Sequence, residues 1–436
     1  MEQKHRLVII GLDGMSVSQL KFVCRKFSLK NLSELVEDHN LISISSELPE
    51  LSPVNWTSFY TGKGPEEHGI FGFVDIDPKS YKISISDFTK VKSPTIFDKL
   101  GQKNIISKVI NLPNTYPAPP IRGVLISGFV AKDLANSVYP KVYLPMLEEI
   151  DYKLEADTIK GIKDPEYLLK EVLLCLESKQ RVLDLLWPDL IWDIFILIFT
   201  ETDRINHFLY PAIFDEKNPL HPICKEFFKK LDMVFGDLLD RYSHLPGPKR
   251  LMVVSDHGFC ELICEVDINV ILKSAGMLFL EHKPESELDA SFISEKTVAF
   301  ALDPGRIYLH KNGIFSRGKV NKQDYRKVIN DLISLLKEVE FKGQKVFDKI
   351  YLGEELYPGS KFISTPDIVA IAKKGFDLKA KFDRDSVFGH YGRFGSHYRE
   401  DVLYYDSKLS GNVKRVRDIG LEILRHFQNS IICVST

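Results

Sequence analysis

Arg6-Leu7-Val8-Ile9-Ile10-Gly11-Leu12-Asp13-Gly14 is an unbroken apolar run that stops at an acid and a glycine. A strand buried on both faces reads as a continuous Val/Ile/Leu run, whereas a half-exposed strand alternates apolar with polar residues. The run therefore predicts a strand in the middle of a parallel sheet, and residues 17–26 behind it carry a helical pattern. The same unit recurs along the chain. An amphipathic segment at 93–100 precedes an apolar run at 104–110, a helical stretch at 165–186 precedes 190–199, and another at 222–241 precedes 251–255. Strand-helix-strand alternation implies an α/β fold, a mostly parallel sheet sandwiched by helices.

The regularity fades between residues 261 and 393. Short strand-like pieces at 297–302 and 306–310, one helix at 322–339 and several Gly/Pro turns predict an inserted, smaller α+β subdomain. A strand pattern at 401–405 and a helix at 416–427 return to the core. The expected organisation is a core of 1–260, an insertion of 261–393 and a closing core segment of 394–436.

Composition narrows the function classes. The 436 residues hold 58 Lys and Arg against 60 Asp and Glu, a formal charge of −2. That leaves no global basic field, so nucleic-acid polymer binding is not expected. The six cysteines are too few and too scattered for a disulfide framework, and Cys260 and Cys264 have no second pair at zinc-ribbon spacing. They read as free thiols in a reducing compartment. The run ending at Ile10 is too short for a signal-peptide core, and residues 190–199 make about half a membrane span with Asp193 inside. The expectation is a cytoplasmic protein with no transmembrane segment; its oligomeric state is not legible.

Parallel α/β sheets place ligands at the carboxyl ends of their strands. Three of the apolar runs end there in acids. One ends at Asp13, one in Thr200-Glu201-Thr202-Asp203-Arg204-Ile205-Asn206-His207, and one in Ser255-Asp256-His257-Gly258. Aspartate and histidine together make a good zinc donor set. Asp203 and His207 stand four apart, which suits either one ion or an ordinary surface pair on a helix. Asp13 alone reads as a helix N-cap. Asp256 and His257 follow a buried strand directly and need partners there. Ser52-Pro53 begins another helix, with Ser52 as N-cap, Pro53 at N1 and an end near Gly62. Its alternative role is a hydroxyl held where helix amides favour an anion. Lys63, Arg204 and Arg393 lie beside these motifs and read as solvated charges.

Taken in order, Ile9 to Gly14, Ser52 to Gly69, Thr202 to His207, Ser255 to Gly258 and Gly395-Ser396-His397 resemble the alkaline phosphatase superfamily, specifically its type I phosphodiesterase/nucleotide pyrophosphatase family. The resemblance implies an alkaline-phosphatase-like fold and a metal-dependent hydrolase of phosphate esters, acting on phosphodiesters or nucleotide pyrophosphates as small-molecule substrates. It implies two divalent cations, zinc with manganese as the alternative. Asp203, His207 and His397 would hold one. Asp13, Asp256, His257 and the nucleophile Ser52 would hold the other. Asn55 would contact a phosphoryl oxygen. Serine stands where the phosphodiesterase branch usually has threonine, which leaves phosphomonoesters, phosphonates and phosphomutase-type transfer as alternatives. The segment from Ser52 to Trp56 lacks the Cys/Ser-x-Pro-x-Arg pattern of sulfatases. His390 competes with His397, and the Gly395-Ser396 context favours His397. Aromatic residues at Phe71, Phe73, Tyr81 and Phe88 are candidates for packing or for stacking a base.

Overall fold

All seven residues of Arg6–Leu12 (β1) are buried, and hydrogen bonds run to parallel neighbours on both sides. The computed structural model describes residues 4–286, 288–409 and 412–432, with side chains to residue 428. The other strands of the β1 sheet are Leu41–Ile44 (β2), Ser107–Leu112 (β3), Gly123–Ser127 (β4), Val138–Tyr139 (β5), Ile194–Phe199 (β6), Lys249–Val254 (β7) and Val402–Asp406 (β10). Gly258–Glu261 (β8) and Gly395–Tyr398 (β9) form a separate antiparallel pair. The eight-stranded sheet has the order β2-β10-β7-β1-β6-β3-β4-β5. Its five middle strands are parallel, while β10 and β5 join antiparallel.

Alternate residues of β1 and β6 feed two different cores, which is why residues 7–12 and 194–199 carry no polar side chain. Val8, Ile10 and Leu12 of β1 and Phe195, Leu197 and Phe199 of β6 face Val17–Phe27 (α1), Pro165–Leu186 (α3), Glu201–Phe214 (α4) and His221–Ser243 (α5). Leu7, Ile9, Ile194, Ile196 and Ile198 face Ser52–Thr61 (α2) and Val416–Ile432 (α6). Each such side chain contributes roughly 1.5–3 kcal/mol by leaving water, so a charge at Ile196 would disrupt the layer against α2 and α6.

The chain divides into two compact units. One runs to Gly64, resumes at Asp87–Glu261 and closes from Gly392 onward; the other combines Pro65–Ser86 with Leu262–Tyr391. The sequence boundaries of 1–260, 261–393 and 394–436 leave out the early excursion. Its hairpin, Val74–Ile76 against Ile83–Ile85, is three residues a side, too short for periodicity to register. Ile76, Tyr81 and Ile83 nevertheless belong to the second unit's own core, beside Phe300 and Leu332. That unit carries a four-stranded antiparallel sheet, ordered Ala299–Leu302, Arg306–Leu309, Ile368–Ala372 and Phe347–Leu352, and the helix Tyr325–Glu338. Its aromatics are packed. Phe71 meets Tyr357 edge-on at 5.0 Å, and Tyr81 bonds His310 and packs on Phe315.

Some strands begin later than their apolar runs. β6 starts at Ile194 because Leu190 takes a left-handed φ of 50° and the Asp193 carboxylate accepts from the Ile106 amide. β3 starts at Ser107, after the left-handed Asn104. Of the cysteines, Cys24, Cys175, Cys224, Cys260 and Cys264 are buried free thiols, and Cys433 lies outside the described residues. Among the described residues no helix is long and apolar enough to cross a membrane.

Candidate metal centre

β1, β6 and β7 are neighbours in the sheet, so the residues that follow them meet at one edge. Asp13 follows β1, Asp203 lies in the first turn of α4 behind β6, and Asp256-His257 follow β7. Gly14 makes the approach possible. It has φ +67°, and a Cβ there would stand 3.2 Å from the His257 ring and 3.0 Å from Phe259. The Gly14 amide donates to Asp256 Oδ1 at 3.1 Å. Asp13 does not cap α1; Ser16 does, accepting from the Gln19 amide.

Asp203 and His207 form a buried pair rather than a surface one, with Nε2 to Oδ1 at 3.4 Å. His397 arrives on β9, its Nε2 3.4 Å from the same oxygen and 2.9 Å from His207 Nε2. His257 Nε2 lies 3.3 Å from Asp256 Oδ2, 3.7 Å from Asp13 Oδ1 and 3.9 Å from Asp203 Oδ1. Ser52 Oγ is 3.2 Å from that nitrogen. Seven of the eight residues singled out in the sequence thus share one buried site. His390, the competitor of His397, is exposed.

The three imidazoles are oriented alike. Nδ1 of His207 donates to the Gly395 carbonyl (3.2 Å), Nδ1 of His257 to that of Gly258 (3.1 Å), and Nδ1 of His397 to that of Glu50 (2.8 Å). A carbonyl can only accept, so each Nδ1 carries the proton and each Nε2 presents a lone pair to the site. Burial depresses all three histidines below their ordinary range, which keeps them neutral.

The carboxylates show the complementary pattern, one oxygen fastened and one without a partner. Asp13 Oδ2 accepts from the Trp56 indole at 2.9 Å, Asp203 Oδ2 from Arg204 at 2.6 Å and Asp256 Oδ1 from Gly14. Asp13 Oδ1, Asp203 Oδ1 and Asp256 Oδ2 are buried with no hydrogen-bond partner. Burial, reinforced by Asp256 and Asp203, drives the Asp13 carboxyl well above its usual range, and burial with the Asp203 charge raises Asp256 to about 6. Burial also pushes Asp203 upward, but His207, His397 and Arg204 outweigh it and hold this carboxyl well below the usual range. Orphaned buried anions are costly in a folded protein, and this donor set of oxygens and neutral nitrogens fits divalent cations. Two ligand groups stand out, Asp203/His207/His397 and Asp13/Asp203/His257, each with its ligating atoms within 4.8 Å of one another. Asp203 belongs to both, a sharing that spacing along the chain does not convey.

Two expectations need correction, the cap role of Ser52 and the solvated charge of Arg204. Ser52 is not the N-cap of α2: Leu51 is, and makes no side-chain cap bond, so Ser52 stands at N1 with Pro53 behind it. Its hydroxyl is thereby left for His257. The far end of α2 closes at Gly62, φ +65°, as its glycine implies. Asn55 is fully buried and its amide is engaged with the backbone of the preceding loop. Oδ1 accepts from the Glu47 amide at 2.7 Å, and Nδ2 donates to the Leu51 carbonyl at 3.1 Å. It braces the turn that delivers Ser52. Arg204, read as a solvated charge, is buried beside Asp203. Trp56 was passed over, although a buried indole N–H needs an acceptor and Trp56 stands four residues after Ser52 on α2.

The chain belongs to the type I phosphodiesterase/nucleotide pyrophosphatase family, whose model matches residues 7–398. It is accordingly a phosphoric ester hydrolase. Similar solved structures include phosphonoacetate hydrolase from Sinorhizobium meliloti 1021 in complex with phosphonoacetate (16% identity, 96% of this chain and 94% of that one, TM-score 0.63). Others are the alkaline phosphatase PafA (14%, 96% and 95%, TM-score 0.60) and murine ectonucleotide pyrophosphatase/phosphodiesterase 5 (13%, 98% and 95%, TM-score 0.58). These likenesses concern the fold. No curated protein matches the sequence.

Proposed function

We propose that the protein is a two-metal hydrolase of monoanionic phosphate esters, phosphodiesters or nucleotide pyrophosphates, working through a covalent phosphoserine at Ser52. The observation that carries this reading is the convergence of three partnerless carboxylate oxygens and three neutral imidazole nitrogens around the Ser52 hydroxyl. Asp203, His207 and His397 would hold one cation; Asp13, Asp256, His257 and Ser52 the other, with Asp203 Oδ1 able to serve both. The donor set suits zinc, and manganese is the alternative. When bound, the cations supply Lewis-acid stabilisation of phosphoryl oxygens and ease deprotonation of the serine and of water.

Ser52 Oγ gives its proton to solvent and attacks phosphorus, and the ester oxygen leaves on the opposite side, taking a proton from water. The positive end of α2 favours the anion as charge develops. Water then cleaves the Ser52–phosphate bond, restoring the hydroxyl and releasing the monoester. Charge favours a diester. Two divalent cations bring four positive charges, and Asp13, Asp203, Asp256 and a Ser52 alkoxide bring four negative ones. Arg204 adds one more positive charge, which Glu155 offsets. A nearly neutral site suits a monoanion better than a dianion. The five buried free thiols favour a reducing, cytoplasmic setting.

Zinc-loaded protein mixed with an activated aryl phosphodiester and quenched in acid should carry on Ser52 the phosphoryl group with its remaining ester still attached, read by peptide mass spectrometry. Turnover with no such adduct under single-turnover conditions would remove the covalent route. A higher kcat/KM for the matching monoester would reverse the substrate preference, and transfer of the phosphate to an added alcohol instead of water would favour the mutase alternative.

A further inference from the structure

The three ligand carboxylates of the centre are fastened by unlike donors: a backbone amide for Asp256, an indole for Asp13 and a guanidinium for Asp203. Only the third donor carries a charge, and only it is itself held by another ionised side chain. Arg204 Nε and Nη2 grip both oxygens of Glu155 at 3.2 and 3.0 Å, while Nη1 reaches Asp203 Oδ2 at 2.6 Å. The guanidinium also lies over the Phe129 ring, 4.3 Å from its centre. All three nitrogens are therefore directed, and the planar fork has little freedom to turn. Arg204 is 8% exposed and Glu155 stands in the loop ahead of α3.

We infer that Arg204, held by Glu155, is a positioning residue that commits Asp203 to the metal centre through Oδ1 alone and so sets cation affinity without being a ligand. This inference rests on the two-metal reading above. Without the guanidinium, the Asp203 carboxylate would be free to rotate, and the oxygen that both ligand groups share would lose its fixed place between His207, His397 and His257. Partners that orient a ligand in this way typically govern 10- to 100-fold of metal affinity. Glu155 has two roles. It fixes the fork, and it cancels a positive charge that would otherwise face the incoming cations. A brace with only a structural purpose would need the fork but would be indifferent to that cancellation.

The test is a zinc titration of metal-stripped, full-length protein against a competing chromophoric chelator, with a metal-free thermal melt alongside. Arg204→Gln should weaken zinc binding by about 10- to 100-fold. Arg204→Lys keeps the charge but not the fork, and should recover part of the loss. Glu155→Gln should weaken binding in the same direction while its metal-free melt stays near wild type. Wild-type zinc affinity in a folded Glu155→Gln overturns the proposal, and it decides alone if Arg204→Gln does not fold. A wild-type protein that binds neither zinc nor manganese overturns the two-metal reading together with this one; tight wild-type binding that the variants leave unchanged overturns only this one.

Discussion

β7 carries a cluster of buried charge at each end, and the two are built on opposite rules. At its amino end Arg250 is held by Asp406 (Nε to Oδ1, 2.8 Å) and Glu422 (3.0 Å), and Tyr404 donates to Asp406 at 3.0 Å. Neither carboxylate there has an orphaned oxygen. At its carboxyl end Asp256 joins Asp13 and Asp203, and each keeps one buried oxygen without a partner. Burial is equally severe at both ends: Asp406 and Asp256 are each 0% exposed. What differs is balance. The first cluster closes on itself and stabilises the fold, whereas the second is left in deficit and needs positive charge from outside the chain. Buried acids alone do not mark a functional site; unanswered ones do.

The largest effect that sharpens this contrast is chemical. Ser52→Ala should reduce diester hydrolysis by at least about 10³-fold while the protein still binds zinc, measured by steady-state kinetics and elemental analysis. A variant retaining a tenth of the activity would remove Ser52 as nucleophile. Next comes the balanced end. Asp406→Asn breaks a buried pair and should destabilise the fold by about 3–5 kcal/mol in denaturant titrations, leaving the zinc affinity of the folded fraction unchanged. At the deficient end the outcomes trade places. Asp256→Asn should weaken zinc binding by more than about 100-fold, yet the metal-free variant at pH 7 should be no less stable than the metal-free parent. If both substitutions destabilise the metal-free protein equally, the distinction between the two ends fails.

The smallest effect is a slope in pH. Asp256 rises from its ordinary 3.8 to about 6 in the folded, metal-free protein, chiefly through burial. The folded state then holds a proton that the unfolded chain has released. Stability contributed by this group is present below about pH 4, is lost as pH climbs to about 6 and stays lost above that. The loss is on the order of 1–3 kcal/mol. Chelator-treated wild type should show it in urea titrations between pH 4 and 7, and Asp256→Asn should not. Saturating zinc should remove the slope by compensating the charge. An identical slope in the variant would assign it to other groups.

Much of this site is legible in the sequence, because most of its candidate ligands sit where an apolar run ends and such runs are the strongest signal a parallel sheet leaves in a sequence. Asp13, Asp203, Asp256 and His257 followed from that rule, with His207 on the same helical face as Asp203. His397 is different. It lies on a short β-pair outside the main sheet, and only its resemblance context singled it out. The Asn55 amide faces the backbone of the preceding loop, a direction that a motif does not preserve. Arg204 and Glu155 stand 49 residues apart, and nothing local announces that they meet.

Periodicity and strand ends alone dictated the α/β class, the placement of four acidic or imidazole side chains along one sheet edge, and a helix beginning beside Ser52. Those features depend on neighbours a few residues away, and the chain records them directly. Tertiary structure decided which oxygen of each aspartate is fastened and which tautomer each histidine holds. It also decided that Asp203 belongs to both ligand groups and that residues 65–86 leave the core for the second unit. Such properties arise from contacts between segments up to hundreds of residues apart, where hydrogen-bond direction and burial, rather than residue type, determine the outcome.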